Sequence, residues 1–161
     1  MKGAKKGRIP KSKQEAVSVR AVDPRFAKGA QYRKVLEEIN GTGVCPFCPA
    51  YFKWHTKPIL KRAGGWLITE NFNPYKNAAI HLLLVKKDHA ESIENLVKRD
   101  WSDVAALTRW AAKHFHIRGG AFAMRFGENV FTGATVRHIH AHLIVPRVVR
   151  GRARPVMFPV G

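Results

Sequence analysis

Carboxylates are scarce in this chain of 161 residues: 11 Asp and Glu stand against 29 Lys and Arg, a formal charge of +18. Such a chain repels itself when compact and draws polyanions from a distance, so a phosphate-rich partner is expected. From residue 121 onward Glu128 is the only carboxylate, which disfavours a two-metal phosphodiesterase. Cysteine is also nearly absent. Two thiols cannot build a disulfide framework, and at this length none is needed, because roughly 140 ordered residues bury about two thirds of the surface that the unfolded chain exposes. Long apolar runs are missing as well, and the Lys-rich start, Met1 to Arg20, lacks the apolar stretch of a secretory signal. The expectation is a soluble, cytoplasmic protein with no membrane partner.

What is present is unevenly spread. Eleven of the basic residues fall in the first 34 positions, and Arg147, Arg150, Arg152 and Arg154 crowd the other end. Residues 1–22 read as a disordered basic tail, 23–43 as a helical extension, 44–150 as the folded domain and 151–161 as a basic C-terminal segment. Basic ends of this kind suit RNA or DNA, or simple solubility.

Periodicity predicts a helix from Arg25 to Asn40, with Phe26, Tyr32, Val35, Leu36 and Ile39 on one side and Gly41 and Gly43 closing it. Trp66 to Glu70 and the apolar run Ala79 to Val85 read as strands. Asp88 and Glu91 look like an acidic capping box opening a helix to Ile117, its buried stripe running Ile93, Val97, Trp101, Val104, Thr108, Ala111, Phe115. Ala121 to Phe126 and His138 to Val145 complete the strands. Connections too short for parallel crossovers predict an α+β fold with an antiparallel β-sheet flanked by helices.

Residues 138–145 read His-Ile-His-Ala-His-Leu-Ile-Val. Strand alternation puts His138, His140 and His142 on one face and sends Ile139, Ala141 and Leu143 into the core. A helix would scatter the three rings. Neutral imidazole near pH 7 attacks electrophiles, moves protons or binds metal. Just upstream, the small-residue turn Gly133-Ala134-Thr135 offers backbone N–H groups and a hydroxyl to phosphate oxygens. A histidine nucleophile beside an anion cradle suggests phosphoryl or nucleotidyl transfer.

Cys45 and Cys48 form Cys-Pro-Phe-Cys, a pair open to metal binding, redox chemistry or burial. No βαβ unit surrounds it, and Pro49 argues against a helix starting at the first thiol, so the redox reading is weaker. Tetrahedral zinc needs two further ligands, for which His89 and His138 are candidates. His114 and His116 suit the dipole at a helix C-terminus. His55 reads as exposed, Lys61-Arg62 and Lys86-Lys87 as solvated faces, and the four tryptophans as packing, with base stacking an alternative for Trp54.

The segment from Gly133 to Pro146 resembles the signature of the histidine-triad (HIT) superfamily. Asn73-Pro74-Tyr75, the strand around His81 and the helix after it follow in family order, so the resemblance spans about residues 44 to 147. It implies a homodimer that hydrolyses or transfers a nucleoside monophosphate group from a nucleotide substrate. His140 would be the nucleophile, His142 would contact the phosphate, and His81 would complete the cluster. The same resemblance assigns Thr135 to the phosphate, Asn73 to the ribose, and Phe72 and Leu83 to the base. It also implies a structural zinc held by Cys45, Cys48, His89 and His138, since some relatives carry an N-terminal Cys-x-x-Cys and a histidine at the spacing seen here from His81 to His89. One departure concerns the leaving group: where many relatives have Gln or Asn, this chain has Gly127, with Glu128 and Asn129 the nearby polar residues. The alternative is a nucleic-acid-binding module on the same scaffold, with weak or no catalysis.

Overall fold

A computed structural model describes residues 21–161. Residues 1–20 of the expected basic tail lie outside the described residues. Ala21 and Val22 are ordered: Val22 is buried and bridges to Val136. Among the described residues no helix is long and apolar enough to cross a membrane.

Five strands, β1 (Ile59–Ala63), β2 (Trp66–Glu70), β3 (Ala78–Lys86), β4 (Ala121–Arg125) and β5 (His140–Pro146), make one antiparallel sheet in the order β1-β2-β3-β5-β4. The expected α+β fold is therefore the one observed. β5, between β3 and β4, is central. β1 was not expected, because Ile59-Leu60-Lys61-Arg62-Ala63 has no clean alternation and carries the cations typical of an edge. A small second sheet, β6 (Val148–Val149) with β7 (Arg152–Ala153), turns at Arg150-Gly151. Both residues there have positive φ, 51° and 76°, as a two-residue primed hairpin turn requires.

The two faces of the sheet have different covers. On one, Trp66, Ile68, Leu82, Leu84, Ala141 and Leu143 pack on helix α2 (Lys98–His114) through Val104, Leu107 and Ala111. On the other, Leu67, Leu83 and Val85 pack under helix α1 (Ala30–Thr42) and the cysteine turn, through Leu36, Ile39, Cys45 and Phe47.

Both helices start later than periodicity predicts. Pro24–Phe26 is a separate 3-10 turn capped by Asp23, and α1 begins only after Gly29, runs through Gly41 and ends at Gly43. Asp88 and Glu91 lie in a loop; Ser92 caps a 3-10 turn at Ile93–Asn95, and α2 starts ten residues beyond Asp88. The residue that reaches back to the first orphan N–H is Asp100, whose Oδ2 accepts from Val97 N–H at 2.9 Å. The buried stripe is rotated accordingly. Asp100, Val104, Leu107 and Ala111 face the sheet, whereas Val97 and Trp101 are exposed by 62% and 46%. Asp100 is buried because Trp66 Nε1 and Lys86 Nζ each donate to its Oδ1 at 2.8 Å. Lys86 is thus an internal ion-pair partner and not part of a solvated face.

Candidate active site and metal cluster

β5 begins at His140, so His138 lies just before the strand and not within it. The chain there is extended enough to keep the alternation: Ile139, Ala141 and Leu143 enter the α2-side core, and the three imidazoles leave on the other side. Register places Val85 and Arg125 beside His140, and Leu83 and Ala123 beside His142. All three rings are buried. Their neighbours then divide them into two groups.

His140 and His142 belong to a cavity of about 210 Å³, and His81 stands behind His142. His140 and His142 line it, with ring centroids 5.0 Å apart, and Phe47 packs edge-on to His140. Hydrogen bonds fix where each proton sits. The Tyr75 backbone N–H donates to His81 Nδ1 at 3.1 Å, which makes that nitrogen the acceptor and leaves the His81 proton on Nε2. His81 Nε2–H then donates to His142 Nδ1 at 2.9 Å, so His142 carries its proton on Nε2, which is buried and has no partner. His140 Nδ1–H donates to the His138 carbonyl at 2.6 Å, leaving the lone pair on Nε2. Burial disfavours the imidazolium in all three: His81 and His140 fall to about 4, and His142 well below its ordinary value. The Arg125 guanidinium adds to the depression at His140 and His142.

Phe72, Leu83, Gly133 and Thr135 line the same cavity, and so do Asn71 and Asn73. Asn73 is exposed at the mouth. Asn71 is the asparagine that reaches inward, its Nδ2 lying against the His81 ring, 3.2 Å from Nε2 and 3.4 Å from Nδ1, while its Oδ1 accepts from Asn73 N–H at 3.0 Å. The turn before the histidines differs from expectation. Gly133 N–H donates to Asn129 O at 2.8 Å as the left-handed cap of helix α3 (Asn129–Thr132), and Ala134 N–H donates to Thr132 Oγ1 at 3.2 Å. Ala134 is buried, and neither N–H is free for a phosphate. Thr135 keeps a hydroxyl at the cavity, paired with Tyr32 OH at 2.9 Å. Gly127 N–H is taken by Glu91 O, and neither Glu128 nor Asn129 lines the cavity.

Two contributors to the site escaped the sequence reading. Arg125, at the end of β4, lines the cavity between Tyr75 and the C-terminal segment, whose Phe158 packs edge-on to His142 with centroids 5.1 Å apart. A lone arginine in a short strand carries no signal of this, and neither does a phenylalanine near the end of a basic tail. His55, expected to be exposed, is buried: its Nε2–H donates to Thr69 Oγ1 at 2.8 Å, whose own proton goes to Pro58 O.

His138 faces away from the cavity, into a cluster with Cys45, Cys48 and His89 whose ligand atoms all lie within 4.8 Å of one another. His138 Nε2–H donates to Lys86 O at 2.6 Å and His89 Nε2–H to Glu91 Oε1 at 3.1 Å, so both rings turn Nδ1 lone pairs inward. Those two nitrogens stand 3.2 Å apart with no proton between them. Two lone pairs at that distance repel unless a cation lies between. Cys45 points the same way: without a cation, burial pushes its thiol up to about 12. This tetrad could hold a metal ion.

Comparisons with known proteins agree with this architecture. Residues 67–149 match the family model of the HIT domain. The fold superposes on a histidine triad nucleotide-binding protein from Candida albicans with a TM-score of 0.54 at 19% identity, covering 73% of this chain and 85% of that one. A histidine triad protein from Clostridium difficile gives 0.52 at 20% identity, with 66% and 94% covered. A Zn-bound histidine triad family protein from Mycobacterium smegmatis gives 0.51 at 22% identity, with 71% and 83% covered. Among curated proteins, none matches the chain.

Proposed function

The chain belongs to the HIT-domain family, and from that premise we propose that it is a nucleotidyl hydrolase or transferase acting on the α-phosphate of a nucleoside polyphosphate, phosphoramidate or adenylated substrate. The observation that carries this reading is the proton arrangement of two adjacent rings: His140 offers a lone pair at Nε2, and His142 offers a proton at Nε2. One is a nucleophile and the other a donor to phosphate oxygen, each held by a neighbour that fixes its tautomer.

In the first step His140 Nε2 bonds to the α-phosphorus, and the bond from phosphorus to the leaving atom breaks. The leaving group departs with its electron pair and takes up a proton from water. In the second step the oxygen of water, or of an acceptor hydroxyl, bonds to phosphorus, the phosphorus–nitrogen bond breaks with its electron pair returning to His140 Nε2, and the attacking oxygen sheds its proton to water. His142 Nε2–H donates to a phosphate oxygen in both, and His81, fixed by Tyr75 N–H, keeps that proton facing the cavity. Thr135 sits at the phosphate, Asn73 at the ribose and Phe72 with Leu83 at the base, all bordering the same cavity. That the Candida albicans neighbour is a nucleotide-binding protein supports the same class of substrate.

Zinc is the ion that best suits the tetrad. A tetrahedron with bonds of about 2.0 Å to nitrogen and about 2.3 Å to sulfur has edges of about 3.3 to 3.8 Å. The N···N separation is 3.2 Å, the Cys45–His138 and Cys48–His89 separations are 3.4 and 3.5 Å, and the Cys48–His138 separation, at 3.9 Å, is slightly longer than such an edge. All four positions are filled by protein, so the ion is structural: it ties the cysteine turn to the His89 loop and to the start of β5. His138 is then a ligand and takes no part in proton transfer.

His140→Ala tests the mechanism. Release of nucleoside monophosphate falls by roughly 10⁴-fold or more while the thermal midpoint stays close to wild type. Mass spectrometry of wild type quenched during turnover finds the nucleotidyl adduct on His140. Unchanged turnover in the variant refutes the reading.

A further inference from the structure

β4 brings to the cavity a cation that the steps above leave without a role. Arg125 is the antiparallel partner of His140, so the two side chains leave the sheet on the same face, and both border the cavity with His142. Everything that holds Arg125 there is neutral. Nη1 donates to the carbonyls of Gly133 and Pro159, and Nη2 to the Tyr75 hydroxyl, each at 3.3 Å. Its flat face lies 4.9 Å from the centre of the Phe158 ring. Charge-assisted N–H···O bonds run at about 2.7 to 2.9 Å, so all three bonds are slack. Nε is buried and has no partner. Among the described residues no carboxylate lies within 4 Å of this guanidinium. The other charged residues lining the cavity, Lys28 and Lys76, have the same sign.

A half-buried cation given only long bonds to neutral oxygens has lost much of its hydration without gaining a counter-charge. An anion entering the cavity displaces the weak acceptors and recovers the loss. The planar fork of a guanidinium matches two oxygens of one tetrahedral phosphate, and the unpaired His142 Nε2–H supplies a donor for a third. We propose that Arg125 is the cationic phosphate-binding residue of this cavity, gripping two non-bridging oxygens of the phosphate lodged beside His140, with His142 and Thr135 as its neutral partners there. This deepens the nucleotidyl reading and rests on it for the class of ligand. In turnover the same grip steadies the charge that builds on those oxygens.

Calorimetric titration of the full chain with AMP and with adenosine separates phosphate recognition from recognition of the nucleoside. Wild type binds AMP at least tenfold more tightly than adenosine. Arg125→Met removes most of that advantage and leaves the adenosine affinity within twofold. Arg125→Gln keeps N–H groups for the Gly133 and Pro159 carbonyls but no charge; it gives the same loss, and it carries the test if the Met variant does not fold. An AMP advantage that survives the substitution overturns the proposal, as does a wild-type protein that binds AMP no better than adenosine. If the advantage depends on Arg125 but no adduct forms on His140, the nucleotidyl reading fails and the phosphate site stands.

Discussion

On the α2 side of the sheet a buried charge is fully engaged: Asp100 accepts from Lys86, Trp66 and the Val97 N–H. On the other side, a few residues along the neighbouring strands, Arg125 Nε and His142 Nε2 are equally buried and engage nothing. The same chain treats polar groups in two ways because they serve different ends. A satisfied set such as Asp100–Lys86–Trp66 holds a helix to a sheet, and nothing that enters later improves it. An unsatisfied set facing a cavity has bonds left to make, and these form when a ligand arrives. The distinction separates structural from functional polar residues without reference to sequence motifs.

Substitutions on the two sides therefore fail differently. Asp100→Ala has the largest expected effect, a loss of about 3 to 5 kcal/mol of stability, because it strands the Lys86 ammonium, whose side chain is only 12% exposed. Urea unfolding measures this, and the folded fraction should keep wild-type turnover per active site; reduced turnover at full folding would erase the distinction between the faces. The metal cluster comes next. Stripping the ion with a chelator, or Cys48→Ser, should lower the thermal midpoint by about 10 °C, as expected when an ion at about 1,000 times its Kd contributes about 4 kcal/mol. Metal analysis of freshly purified protein should find about one zinc per chain.

Acidification gives the smallest effect. Burial holds His81 at about 4 in the folded chain, below the ordinary value of 6.5. Between those values the unfolded chain binds more protons than the folded one. The contribution of His81 is therefore complete above about pH 6.5 and is lost as pH falls toward 4, by up to about 1.4 kcal/mol per pH unit. Denaturation curves across that range should show the slope; His140 and His142, depressed in the same way, add to it, so His81→Asn should reduce it by the His81 share. A slope unchanged in the variant would assign it wholly to other groups.

Much of the site was legible because strand alternation is a strict code. His138, His140 and His142, with apolar residues between them, could share a face only if extended, and the Cys45–Cys48 pair with His89 and His138 does converge. The strands at 66–70 and 121–125 lie where their side chains predict. What stayed hidden depends on partners distant in the chain. Asp100 sits in the buried stripe of α2 only because Trp66 and Lys86 wait for it, so apolar periodicity assigned the stripe to Trp101 instead. Arg125 acquires its position from the register with His140 and from Pro159, 34 residues away. The commitment of the Gly133 and Ala134 N–H groups to α3 likewise follows from a short helix that composition does not announce.

The bond from Tyr75 to His81 is made by the main chain. Almost any codon change at position 75 preserves it, since among the twenty amino acids proline alone lacks the hydrogen. The orientation of the His81 ring is thereby insulated from mutational drift, while the phenol at the same position, which lies against His142 and accepts from Arg125, is where a codon change would be felt.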